Sequence, residues 1–385
     1  MVLNFASRIF GRINAGTKKS KCLSHHFMVE NGMIHQMNRG LYALMPLGER
    51  CVVKLACVVE ARLHDMGAQR VALPRLDERL AGALSERWLT GSEIFRLSDR
   101  DGIEFFLQPT AEAAITRLVR DAINIPRSDS FPILLYQCNE KFRDESFPKF
   151  GLLRSRQFLM NDLYSFDPDE RSAQITYKLV TDLYKRIFTE DLGLKSVVHV
   201  NANPGNIGGN VSHEFHMPNP SSGDQIRVCS KCGYASRASE LQNSSKIEHT
   251  STIKNQTLAS DSNPQLKASC CNEHEFTTHD TVEIAHTFQL GTEYSEPLKA
   301  IQPNGDPYWM CCFGIGITRL LAACIDELSV AESAMRLPYT ISPFKVVFIL
   351  PKDGEKDPRW RFTWDTIIEL EKVTIYFYYN LKFFI

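Results

Sequence analysis

The stretch YQCNEKFRDESFPKFGLLRSRQFLMNDLYSF, residues 136–166, constrains the fold of this chain more than any other. Its apolar runs predict two strands of an antiparallel pair, and the turn is predicted near Ser146 to Gly151, where Phe147, Pro148 and Lys149 break the pattern. Side chains two residues apart share a strand face, so the second strand is predicted to present Arg154, Arg156, Phe158 and Met160 together. Guanidinium groups fork onto phosphate oxygens. Such a face therefore suits a nucleotide, the alternative being solvated surface ion pairs.

The composition excludes several classes of protein. The chain has 385 residues, enough for two or three domains, and its 43% hydrophobic and 23% charged residues are typical of a soluble globular protein. The net charge of −1 gives no overall basic field, so any RNA contact must be local and specific for shape. No apolar run reaches the length of a membrane span, so no membrane partner is expected.

Residues 1–24 differ from the rest of the chain. No acidic residue precedes Glu30, and apolar residues recur at helical spacing among the basic residues Arg8, Arg12, Lys18, Lys19 and Lys21. This composition is typical of a mitochondrial presequence, the alternative being a basic N-terminal arm. The 11 scattered cysteines indicate reduced thiols rather than a disulfide framework, which fits a matrix or cytosolic setting.

Hydrophobic periodicity predicts the elements that surround this strand pair. Helical spacing over 49–66 with Gly67 after it predicts a helix, followed by a strand at 71–73. Further strands are predicted at 103–107, 197–200 and 308–313. A helix is predicted over 169–189, with an apolar face made of Ile175, Leu179, Leu183 and Ile187.

Thr110 and Glu112 follow the strand at 103–107 and precede an apolar helical segment. Thr110 is a candidate N-cap, with Glu112 favouring the helix dipole. The same hydroxyl and carboxylate could also hold an ammonium group of a substrate. The two interpretations are compatible.

The segment GIGITR, residues 314–319, joins a strand to an apolar helix. Its glycines allow the backbone to approach a nucleotide, and a helix N-terminus favours negative charge. Arg319 in the first turn opposes the helix dipole, and a bound anion would offset that cost.

Residues 236–276 are polar with little periodicity, which predicts a surface linker or a disordered insert. One cysteine pair precedes this segment, and a second lies near its end. Two knuckles of this kind could form a small zinc site from Cys229, Cys232, Cys271 and His274. The alternative is two unrelated cysteine pairs.

Together these segments resemble the class II aminoacyl-tRNA synthetases. FRDE with RSRQF is similar to motif 2, CCFGIGITR to motif 3, and the helix at 49–66 with its strand and Pro74 to motif 1. Within this class, the sequence most resembles prolyl-tRNA synthetases of the bacterial and mitochondrial kind, in the segments GLYALMPLG, QPTAEAAIT, SHEF and HTFQLGTEYSEPLKA. The resemblance covers roughly residues 25–235 and 280–350.

The resemblance implies an α+β fold, in which helices flank an antiparallel sheet. The class II catalytic domain would comprise 25–235 and 277–337, with 236–276 in place of the bacterial editing domain. A truncated α/β anticodon-binding domain would follow at 338–385.

The resemblance also implies the activity, which is ATP-dependent ligation of L-proline to tRNA(Pro) through prolyl-adenylate. It implies Mg²⁺ among the phosphates, a homodimer, and the mitochondrial matrix as the location. Three alternatives remain: a seryl enzyme that shares the Thr-x-Glu loop, a catalytically silent accessory protein, and an adenylate-forming enzyme that charges tRNA poorly.

Roles for single residues follow from the family motifs. Arg143 would bridge the proline carboxylate and the α-phosphate, with Arg143 and Arg319 as catalytic residues. ATP would be bound by Arg143, Glu145, Arg154, Phe158, Gln289, Thr292 and Arg319, with Phe158 stacking on adenine. Proline would be bound by Thr110, Glu112, Arg143, His286 and Cys312.

Overall fold

A computed structural model of the chain describes residues 20–78, 93–123, 131–205, 207–238, 276–331, 334–345, 356–362 and 365–366. Its helices are α1 (Leu23–Glu30), α2 (Pro46–Asp65), α3 (Glu112–Ala122), α4 (Glu170–Arg186) and α5 (Ile317–Leu328). Its strands are β1 (Ile34–Asn38), β2 (Leu41–Leu44), β3 (Gln69–Arg70), β4 (Leu76–Glu78), β5 (Arg96–Ser98), β6 (Glu104–Leu107), β7 (Ile133–Phe142), β8 (Gln157–Asp167), β9 (Val198–Ala202), β10 (Val211–Pro218), β11 (Asp224–Cys229), β12 (Ala235–Arg237), β13 (Phe276–Gly291) and β14 (Trp309–Gly316).

Nine of these strands form the main sheet, in the order β10-β9-β12-β11-β13-β14-β8-β7-β3. Its long central strands are antiparallel, and β7 pairs with β8 from Ile133↔Phe166 to Phe142↔Gln157. The predicted strand pair is therefore confirmed. Parallel pairing occurs only between β3 and β7 and between β12 and β9 within this sheet. A hairpin of β1 and β2 and a small sheet in the order β4-β6-β5 complete the described strands.

Helices cover both faces of the main sheet. Alternate residues of β14 belong to different hydrophobic clusters, because successive side chains of a strand point to opposite faces. Cys311 and Phe313 pack in the cluster that contains α2, α4 and α5. Met310 and Cys312 pack in the cluster that contains α3. The α+β class with an antiparallel sheet flanked by helices is thus confirmed.

The strand predicted at 71–73 lies two residues earlier. β3 comprises Gln69–Arg70, and the chain then continues without strand pairing, although Val71 N still donates to Tyr136 O at 2.8 Å. The preceding helix α2 is confirmed, with Pro46 at its first turn, where its missing N–H costs nothing. Gly67 follows its end with φ of 85°.

The prediction that Arg154 and Arg156 lie within the second strand is wrong. β8 begins at Gln157, because a 3-10 turn over Gly151–Leu153 interrupts the extended chain. The turn is entered through Phe150, whose φ of 61° is left-handed. The two arginines consequently lie in the loop that leads into β8.

Two details of the helix predictions are also wrong. The N-cap of α3 is Ala111, and no side chain caps this helix. Of the predicted apolar face of α4, Leu183 and Ile187 are buried as predicted, but Ile175 and Leu179 are 54% and 57% exposed. The buried face instead carries tyrosines and threonines alongside Val180, and a search for purely apolar positions passes over such residues.

The last residues of the predicted presequence belong to the folded core. Cys22 is 1% exposed, and both the N–H and the hydroxyl of Ser24 donate to the Asp326 carboxylate, at 2.7 and 2.8 Å. Asn219 Nδ2 donates to the same carboxylate at 2.7 Å. Residues 1–19, which carry most of the presequence pattern, lie outside the described residues.

Other predicted domains are only partly described. Residues 239–275 of the predicted linker lie outside the described residues, as does most of the predicted anticodon-binding domain at 338–385. Within the latter, a 3-10 turn at Tyr339–Ile341 precedes Ser342, whose carbonyl accepts a hydrogen bond from Lys54 of α2. No helix in the described ranges has the length and apolar character to cross a membrane.

Candidate functional site

A cavity of about 260 Å³ opens on the α3 face of the sheet, where β13, β14, β8 and β7 lie side by side. It gathers residues from strands, loops and helix starts that are far apart in the chain. Of the site residues predicted from the sequence, those that line it are Thr110, Glu112, Arg143, Phe158, His286, Cys312 and Arg319.

One end of the cavity holds two buried acids, Glu112 and Asp162, and the second is paired with Lys141. Glu112 is the first residue of α3 and is 3% exposed. Cys312 Sγ donates to Glu112 Oε1 at 3.5 Å. The Thr110 hydroxyl is buried without a hydrogen-bond partner at ordinary distance among the described residues, yet it lies near enough to act on the carboxyl group. Burial raises the pKa of Glu112, and Thr110 and Cys312 oppose that rise.

The other end of the cavity carries two arginines and an aromatic ring. Arg143 follows β7 directly, and its guanidinium carbon lies 5.3 Å from the centroid of the Phe158 ring. Burial, and then the charge of Arg319, lowers the pKa of Arg143. Arg319 is held by hydrogen bonds from Nε to Leu153 O and from Nη1 to Glu283 O, both 3.0 Å. Two cations held close together in a buried cavity are suited to an anion with more than one charge.

A cluster of acids, a histidine and an arginine forms another wall of the cavity. His286 Nδ1 lies 3.5 Å from Glu214 Oε1 and 3.4 Å from Glu283 Oε1. Arg237 bridges the same two carboxylates, at 2.7 Å to Glu214 and 3.4 Å to Glu283. Burial alone would raise the pKa of Glu283, but His286 and Arg319 hold it below its ordinary value. Glu283 is therefore an anionic neighbour of the arginines.

This wall is also a candidate metal site by its composition. Ligand atoms of Glu214, Glu283 and His286 lie within 4.8 Å of one another. Mg²⁺ prefers oxygen ligands in octahedral geometry, and here one donor is an imidazole. The guanidinium of Arg237 already bridges the two carboxylates. These residues therefore do not fit Mg²⁺, and we assign them no metal.

The remaining predicted site residues lie outside the cavity lining. Arg154 Nε lies 3.1 Å from Glu145 Oε2, so these two residues pair with each other in the loop before β8. Gln289 lies near the end of β13, where its carbonyl accepts from Asn210 N at 3.0 Å. Thr292 follows β13 and donates to Glu296 at 3.3 Å.

Half of the predicted zinc site is described. Cys229 ends β11 and is buried, and Cys232 lies in the turn after it and is exposed. Gly233 N donates to Cys229 O at 3.0 Å, which closes this turn. Cys271 and His274 lie outside the described residues.

Sequence reasoning missed several residues that line the cavity. Asp162 and Tyr164 extend the face of β8 that already carries Phe158 and Met160, so period two could have found them. Glu214, Glu283 and Arg237 reach the cavity from three different strands. No local signal in the sequence brings them together.

Comparison with known proteins gives the same family throughout. The family model described as tRNA synthetase class II core domain (G, H, P, S and T) matches residues 95–328. A probable mitochondrial proline–tRNA ligase of Homo sapiens is 37% identical over 87% of this chain and 66% of its own length. The corresponding protein of Schizosaccharomyces pombe is 35% identical over 86% and 74%. The proline–tRNA ligase of Ehrlichia canis is 37% identical over 84% and 74%. The chain thus spans about two thirds to three quarters of these relatives.

Solved structures support the fold. Prolyl-tRNA synthetase of Giardia lamblia, in complex with prolyl-adenylate, has a TM-score of 0.65 at 14% identity and is matched over 61% of its length and 91% of this chain. Prolyl-tRNA synthetase of Cryptosporidium parvum, with L-proline and AMP, has a TM-score of 0.59 at 14% identity, over 57% of its length and 85% of this chain. At such identities the likeness concerns the fold alone.

Proposed function

Since the chain belongs to the proline–tRNA ligase family of class II tRNA synthetases, we propose that it joins L-proline to tRNA(Pro) through prolyl-adenylate, with ATP as the energy source. The observation that carries this proposal is the arrangement within one cavity of about 260 Å³. The buried carboxyl group of Glu112 lies at one end, where the neighbouring Asp162 is paired with Lys141. Two arginines beside an aromatic ring lie at the other end. This separation of charge matches an amino acid joined to a nucleotide.

Proline would bind at the Glu112 end. The carboxylate of Glu112 and the hydroxyl of Thr110 would accept from the secondary ammonium group, while Cys312 and His286 would border the ring. The proline carboxylate would then point toward Arg143. Because Asp162 is already paired with Lys141, Glu112 is the acid left for an ammonium group, and with arginines at the other end the cavity would orient a small zwitterion in a single direction.

ATP would bind at the arginine end. Arg143 would contact the proline carboxylate and the α-phosphate together, and Arg319 would hold the outer phosphates. Adenine would stack on Phe158. A carboxylate oxygen of proline attacks the α-phosphorus, the bond to the bridging oxygen breaks, and pyrophosphate leaves. The arginines stabilise the charge on the phosphorus centre, and this is mainly positioning and electrostatic catalysis.

Acidic residues that line the cavity supply counter-charges to its arginines. The anionic form of Glu283 is stabilised by the charge of Arg319, and Arg237 pairs with both Glu214 and Glu283. These groups keep the buried arginines compensated until an anionic substrate arrives.

Further contacts belong to the same proposal. Glu145 and Arg154 in the loop before β8, Gln289 near the end of β13 and Thr292 after it would contact the nucleotide from outside the cavity lining. Mg²⁺, which commonly bridges phosphates and keeps several water ligands, would enter with ATP. We also propose zinc at Cys229 and Cys232 together with Cys271 and His274.

The proposed cellular setting follows the relatives that are named mitochondrial. The enzyme would act in the mitochondrial matrix, and its basic N-terminal segment would direct import. It would form a homodimer through the region of α2 and β3, and tRNA(Pro) would be its macromolecular substrate.

Amino-acid-dependent exchange of labelled pyrophosphate into ATP tests the function directly. We expect exchange with proline and none above background with serine or the other amino acids. A seryl enzyme would reverse that preference, and a silent accessory protein would give no exchange with any amino acid. Exchange with proline but no prolyl-tRNA formation would limit the activity to adenylate synthesis.

The pH dependence of this reaction should reveal Glu112. Its carboxylate, not its acid form, pairs with the ammonium of proline, and burial raises its pKa. We therefore expect kcat/KM for proline to rise with pH through a value above the ordinary glutamate pKa of about 4.3. Glu112→Gln should lose most of the activity and also this limb of the profile. A parent profile that is flat across the range above pH 4.3 would contradict the role of Glu112.

A further inference from the structure

A buried polar network borders the Glu112 end of the cavity, and two of its members, Asp162 and Tyr164, line the cavity itself. Lys141 on β7 is 0% exposed, and its Nζ lies 3.0 Å from Asp162 Oδ2. The same carboxylate oxygen accepts from Gln137 Nε2 at 2.8 Å and from the Tyr164 hydroxyl at 2.9 Å. Asn139 Nδ2 donates to Gln137 Oε1 at 2.8 Å and extends the network along β7.

The network ends at the segment that carries Thr110 and Glu112. The backbone N–H of Ala111 donates to the Tyr164 hydroxyl oxygen at 3.0 Å. Ala111 is the N-cap of α3, and no side chain caps that helix. Because Tyr164 gives its proton to Asp162, its oxygen lone pairs are directed to Ala111. The hydroxyl is thus a fixed acceptor rather than a rotating one.

The cost of this arrangement indicates a function. A fully buried lysine–carboxylate pair is often no more stabilising than well-packed apolar residues of the same volume. Here the Lys141 side chain is 0% exposed and that of Asp162 only 5%, and the pair fixes one hydroxyl group. That hydroxyl contacts the residue between the two groups assigned to the proline ammonium.

We propose that Lys141, Asp162 and Tyr164 are positioning residues, which set the Thr110–Glu112 segment at the distance that proline requires. This inference rests on the proposed function. The network acts through the backbone of Ala111, so it should affect binding of the amino acid and leave binding of ATP nearly unchanged.

Tyr164→Phe removes the hydroxyl and keeps the ring. The change leaves Ala111 N–H without its acceptor and Asp162 without one donor, and losses of this kind in buried sites correspond to about tenfold or more in an equilibrium constant. We expect KM for proline in pyrophosphate exchange to rise about tenfold, with KM for ATP within about twofold of the parent.

Tyr184→Phe is the matched control. Tyr184 is also fully buried, and its hydroxyl has no hydrogen-bond partner among the described residues. We expect both KM values of this variant to stay within about twofold of the parent, since no bond is lost. The control separates the Tyr164 bond from the general effect of removing a buried phenol oxygen.

A double-mutant cycle tests whether Lys141 acts through the same path. Lys141→Met should also raise KM for proline selectively. Its effect and that of Tyr164→Phe should be far from additive, because both act through the Asp162 carboxylate. If the two residues acted independently, the rise in KM for proline of the double variant would be the product of the rises of the two single variants.

The outcomes separate the positioning role from the function itself. Without proline-dependent exchange by the parent, both inferences fall. With an active parent, a Tyr164→Phe enzyme that keeps the parental KM for proline overturns the positioning role alone. Parallel rises in both KM values also overturn it, because they indicate a general loss of structure. If Lys141→Met fails to fold, the comparison of KM for proline between Tyr164→Phe and Tyr184→Phe still tests the positioning role.

Discussion

Replacing Arg143 by alanine is expected to lower the rate of proline-dependent pyrophosphate exchange by at least about a hundredfold. Under the proposed function, one guanidinium group contacts both reactants, so its loss removes stabilisation of charge at the phosphorus centre. The cavity places Arg143 against Phe158 and within the influence of Arg319. Exchange kinetics at saturating ATP and proline measure the effect.

The melting temperature of Arg143→Ala provides a second measurement on the same variant. Burial and a like charge both lower the pKa of Arg143, so the folded chain holds this cation at a cost. We expect the melting temperature of Arg143→Ala to equal or exceed that of the parent. Arg186→Ala is the control and should retain parental exchange. It removes an exposed arginine at the end of α4, which pairs with Glu190 after the helix. Exchange by Arg143→Ala within about threefold of the parent would rule out the assigned role.

Gly48→Ala is expected to destabilise the folded chain by about 3 kcal/mol or more, because it overpacks a site that has no room. Gly48 is the third residue of α2, and a Cβ atom there would lie 2.1 Å from the carbonyl oxygen of Met33. That carbonyl already accepts from Met45 N at 2.8 Å, so it is held in place. Thermal unfolding at one scan rate should show a fall of about 4–5 °C for a loss of about 3 kcal/mol in a chain of 385 residues.

Gly193→Ala provides the control for conformational strain. Gly193 has φ of 69°, and a Cβ atom at this position meets no heavy atom within 4 Å. Alanine there should cost only the left-handed strain of about 1–2 kcal/mol. If both substitutions lower the melting temperature equally, overlap with Met33 is not what makes glycine necessary at position 48.

The parts of the fold that were predictable are those in which one local pattern decides the structure. The apolar runs around the motif 2 segment set β7 and β8, and the face of β8 from Phe158 onward follows period two. The position of Arg154 was not predictable in this way. A 3-10 turn over Gly151–Leu153 interrupts the alternation of side chains before β8. Neither the length nor the sequence of this segment predicts such a turn.

Site residues that belong to family motifs could be predicted from the sequence. Residues that reach the site through pairing between distant strands were less predictable. Glu283 and His286 are an odd number of residues apart, so period two places them on opposite faces of β13. A β-bulge opposite Phe215 and His216 brings both to the cavity. Arg237 arrives from β12, which is remote in sequence. Nothing local encodes either placement.

The contact between Ser24 and Asp326 also sets an order of events in folding. The two residues are 302 positions apart, and they join α1 to α5. Closing so long a loop has a large entropic cost that other contacts must first reduce. Helix α1 is therefore made first but can dock only after α5 has left the ribosome. Until then Phe27 and Met28, both buried in the folded chain, cannot pack against α5. They therefore stay accessible to a chaperone for longer than apolar residues whose partners are close in sequence.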